Sequence, residues 1–73
     1  MEYPTRDILE YIVALVAEFA KAHGLSDTQA FRYLSVHGAV DFVEQNYGVM
    51  HTLDFPAAVE SVAKYCRRTG GKL

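Results

Sequence analysis

A compact bundle of four short α-helices, forming a single domain over residues 1–73, is the all-α fold that this sequence predicts, and three observations predict it. Apolar residues recur at helical spacing, and no alternating run of β-branched residues is long enough for a strand. Capping residues and His-Gly pairs stand where helices would start and stop. The composition, 51% hydrophobic and 22% charged with two prolines and five glycines, is that of a chain that buries a core rather than of a disordered tail. A chain of 73 residues buries only roughly 60% of its unfolded surface, so the core is under demand. The single cysteine, Cys66, rules out an intramolecular disulfide, and stability must come from packing, helped by oligomerisation.

The first helix runs from Asp7 to Ala22, with Asp7 and Glu10 spaced as a capping box. Its stop is "HGL": Gly24 can take the left-handed conformation, and Leu25 then folds back on the last turn. Ser26 caps the second helix, "DTQAFRYLSV", with Gln29 three residues on, and Gly38 ends it as Gly24 ended the first. A third helix is expected from about Val40 to Tyr47. Asp54 caps the last, with Pro56 in its first turn where a missing N–H costs nothing, and it runs through "AAVESVAKYCRR" to "TGG". His23 and His37, each just before a glycine, suit the negative end of a helix dipole and can donate to its unpaired carbonyls.

On the first helix a narrow stripe of Asp7, Glu10, Ala14, Ala17, Glu18 and Lys21 faces an apolar arc about twice the ~100° that a surface helix needs. Either this helix is central, or part of the arc meets another chain. Ile12, Leu15, Val16 and Phe19 are the expected interface, in a homodimer or with a protein partner.

Several kinds of chemistry find little support. His23, His37, His51 and Cys66 fit no closed zinc spacing, so no metal or other cofactor is expected. Cys66 is flanked by Lys64, Arg67 and Arg68, which would favour a thiolate if it were exposed, but it shares a helical stripe with Val59, Val62 and Ala63 and reads as core. Asp41 and Glu44 read as a solvated face, not a catalytic pair in a cleft. A helix-turn-helix could be drawn over the middle of the chain. Its recognition helix would bring Asp41 and Glu44 to the phosphates, and the net charge of −2 also argues against nucleic acid. The basic cluster Lys64, Arg67, Arg68 and Lys72 keeps a nucleic-acid-binding regulator as the alternative. "MEYPTRD" lacks the basic start of a signal peptide, and Glu10 and Glu18 interrupt "ILEYIVALVAEFA", so a cytoplasmic location with no membrane span is expected.

The stretch "NYGVMHTLDF" is the one place where hydroxyls and an imidazole could converge. With the helix continued through Gly48, Tyr47 and His51 would share a face, His51 as general base and Tyr47 or Thr52 as proton donor. With a break at Gly48, the same residues would clasp two helices, Tyr47 filling the core and His51 bonding backbone carbonyls. No nucleophile, oxyanion donor or phosphate loop accompanies the trio, which favours the clasp.

The runs "ILEYIVALVAEFAKAHGLSDTQAFRYL", "GAVDFVEQNYGVMHT" and "YCRRTGG" resemble a family of short bacterial all-helical proteins described only as a domain of unknown function. The resemblance covers about Ile8 to Gly71. Tyr47, His51 and Thr52 look like its hallmark, together with "AFRYL" and "GAVDF". Members are sometimes encoded beside toxins of the ADP-ribosyltransferase type, which implies an antitoxin-like or accessory partner; the family supplies no catalytic residues to transfer. The expectation is a non-enzymatic helical protein–protein interaction module.

Overall fold

The computed structural model describes residues 3–73. Its helices are α1 (Thr5–His23), α2 (Asp27–Val36), α3 (Ala39–Gln45), α4 (Tyr47–Met50) and α5 (Phe55–Arg68), with no strand among the described residues. The class is all-α as expected. The four longer helices are the four read from the sequence, and the single turn α4 is an addition. None of the helices is long and apolar enough to cross a membrane.

Most of the punctuation holds. Gly24 adopts φ 66°, and its N–H and that of Leu25 both bond the Ala20 carbonyl, the latter at 2.9 Å. Ser26 forms the full capping box: its Oγ accepts from Gln29 N at 3.0 Å, and Gln29 Oε1 accepts from Ser26 N at 2.9 Å. Asp54 accepts from Ala57 N at 2.8 Å with Pro56 beside it.

Two boundaries differ. The capping box of Asp7 and Glu10 does not form, because α1 starts earlier: Pro4 is its N-cap, and the Pro4 carbonyl accepts from Asp7 N at 3.0 Å. Once a helix is nucleated each added residue gains a bond, so it propagates back to the proline. Asp7 is left in the first turn, where only its charge helps. The second difference is the break between α3 and α4. It falls at Asn46, not at Gly48, and α3 ends at Gln45, short of Tyr47. The Asn46 side-chain amide donates to the Phe42 carbonyl at 2.8 Å and competes with the helix ladder, while its own carbonyl accepts from Met50 N at 2.8 Å and starts the next turn. Gly48 sits inside α4, and its bare Cα permits a close approach: a Cβ there would lie 3.1 Å from the Tyr3 hydroxyl.

The core is one cluster that draws on every helix, with Phe19, Val62 and Cys66 fully enclosed and no polar side chain buried among the described residues. Helix α1 packs against α2, α3 and α5 and is the central helix. That settles where its broad apolar arc goes. Ile12, Leu15, Val16 and Phe19, expected at an interface, are covered by the chain's own helices and belong to the core. The large apolar side chains that α1 leaves outside are Leu9 and Val13.

Candidate functional site

The stretch around α4 is built as a clasp. Tyr47 and His51 lie one helical turn apart, and their rings stack with centroids 4.6 Å apart and planes 10° from parallel. The His51 Nδ1–H donates to the Tyr47 carbonyl at 2.7 Å; since a carbonyl only accepts, this nitrogen carries the proton. The Thr52 hydroxyl donates to the Val49 carbonyl at 2.6 Å. From α1, the Tyr11 hydroxyl donates to the Met50 carbonyl at 3.0 Å. Burial, and secondarily the neighbouring Tyr47, raises the Tyr11 hydroxyl above its usual pKa. Tyr3 meets both Tyr47 and His51 edge-on, and Tyr11 meets Tyr47 edge-on while it stacks on Phe55.

The trio is therefore adjacent in space, but it does not face one pocket. An open groove of about 440 Å³ is lined by Tyr3, Thr5, Ile8, Glu44, Gln45, Tyr47 and Gly48; His51 and Thr52 are not on its wall. His51 is exposed and bonds its own turn, whereas the clasp as expected had it bonding between helices; Tyr11, which the sequence placed only in an apolar arc, makes that bond instead.

The other histidines also stack on an aromatic ring four residues earlier. His23 lies over Phe19, centroids 4.2 Å apart, and His37 meets Tyr33 edge-on at 4.7 Å. His23 makes no carbonyl bond among the described residues, contrary to its expected capping role. His37 does bond a helix end, but that of α5: its Nδ1 is 3.3 Å from the Thr69 carbonyl. The Cys66 thiol is buried in the core, and burial raises it above its usual pKa against a smaller opposing effect of Arg67. No cluster of three or more His, Cys, Asp or Glu side chains is placed to hold a metal ion among the described residues. In the basic cluster, Arg67 pairs with Glu60 at 3.8 Å and donates to the Leu73 carbonyl at 3.2 Å, while Lys64, Arg68 and Lys72 are exposed.

The surface that stands out lies between α1 and α2. Leu9, Val13 and Phe31 are 54%, 70% and 50% exposed. Val13 and Phe31 border an apolar groove of about 320 Å³ with Ile12, Val16, Asp27 and Thr28. The sequence carried a signal for this face: on α2 the buried stripe passes through Ala30 and Leu34, and Phe31 is one step off it. The phenylalanine beside the buried alanine is left with half of its surface uncovered by its own chain.

No curated protein and no solved structure matches this chain. A model for a family described as a protein of unknown function, DUF3791, matches residues 10–69. That span takes in α2 to α5 and all of α1 but its first five residues, so the chain belongs to the DUF3791 family.

Proposed function

We propose that this chain is a non-enzymatic helical interaction module that binds another protein chain through the face between α1 and α2. The observation that carries this reading is the pairing of the exposed Val13 and Phe31 on one apolar groove, with Leu9 exposed one turn before Val13 on α1, whereas the other strongly exposed apolar side chains, Val36 and Val49, line no such groove. The conspicuous Tyr47, His51 and Thr52 fit the same reading. Their stacking and backbone bonds brace the α4 turn itself, which Tyr11 ties to α1, and they build the module rather than act on a substrate.

The test is photo-crosslinking in the native host, with a benzophenone side chain placed at Val13 and, as a control, at Lys64. An adduct to a protein at position 13 and none at position 64 is the expected result. Adducts absent at position 13, or equal at both positions, overturn the reading. Binding of nucleic acid that collapses when Lys64, Arg68 and Lys72 are replaced by Ala would put the basic cluster in its place.

A further inference from the structure

We draw no further inference here: the strongest candidate, the apolar groove between α1 and α2 bordered by Val13 and Phe31, belongs to the surface already described, and nothing in the structure shows what covers it.

Discussion

At the end of α2, His37 meets Tyr33 edge-on and reaches across to the Thr69 carbonyl, while the Thr69 hydroxyl, 3.0 Å from the His37 carbonyl, can return the bond. At the end of α4, His51 lies flat on Tyr47 and bonds the Tyr47 carbonyl one turn back. Both are an aromatic residue and a histidine four apart, and in both the helical repeat alone brings the rings together. The difference lies in which carbonyl is within reach. Beside α2, the end of α5 turns back at Gly70, φ 99°, and Gly71 passes so close to the Tyr33 hydroxyl that it has no room for a Cβ, which would also lie 2.9 Å from the Cys66 carbonyl. The Tyr33 hydroxyl then accepts from Leu73 N at 3.0 Å. Among the described residues His51 bonds no carbonyl outside its own turn, and the long-range hydrogen bond to this turn comes from Tyr11 instead. The same local pattern thus ties distant segments in one place and only its own turn in the other, and its worth to stability should differ accordingly.

The largest effect that could break this comparison is at the C-terminal clamp. Tyr33→Ala removes the stack on Phe19, the contact with His37 and the bond to Leu73, and should cost about 3 kcal/mol by urea denaturation. A loss below about 1 kcal/mol would mean that the clamp contributes little beyond solvation. Thr69→Val keeps the shape and deletes the hydroxyl that joins α5 to α2 and should cost about 1 kcal/mol. His51→Ala, by contrast, removes an exposed ring and a bond within one turn, with an expected cost of about 0.5 kcal/mol or less. Equal losses for Thr69→Val and His51→Ala would erase the distinction.

The smallest effects are of slope. Each region holds one group whose burial raises its pKa, Cys66 beneath the clamp and Tyr11 in the clasp. In the folded chain each keeps its proton to higher pH than in the unfolded chain. The stability it contributes is therefore whole below the usual value and is lost as pH rises past 9.0 for the thiol and past 10.0 for the phenol. Urea midpoints measured from pH 8 to 11 should fall along that course. Cys66→Ala should flatten the earlier part of the fall and Tyr11→Phe the later part; an unchanged profile in both would remove burial as its cause.

The sequence by itself determined the class, the four longer helices and most of their caps. Gly24, Ser26 with Gln29, Gly38 and Asp54 with Pro56 act within a turn or two of themselves, and such short-range bonds are readable from neighbours alone. It also marked Tyr47, His51 and Thr52 as adjacent, since that adjacency needs only helical spacing. Two local signals were outcompeted: Pro4 took the start of α1 from Asp7, and Asn46, with a side chain that bonds the preceding turn, took the break from Gly48.

Tertiary structure decided what depends on which element covers which. The wide arc of α1 was legible, but only packing against α2, α3 and α5 could divide it into a core of Ile12, Leu15, Val16 and Phe19 and an uncovered edge of Leu9 and Val13. Phe31 joined that edge because the course of α2 brings it beside Val13, and His37 found Thr69 because α5 ends beside α2. Helical spacing fixes the direction in which a side chain points, and burial is fixed by what the rest of the chain places there.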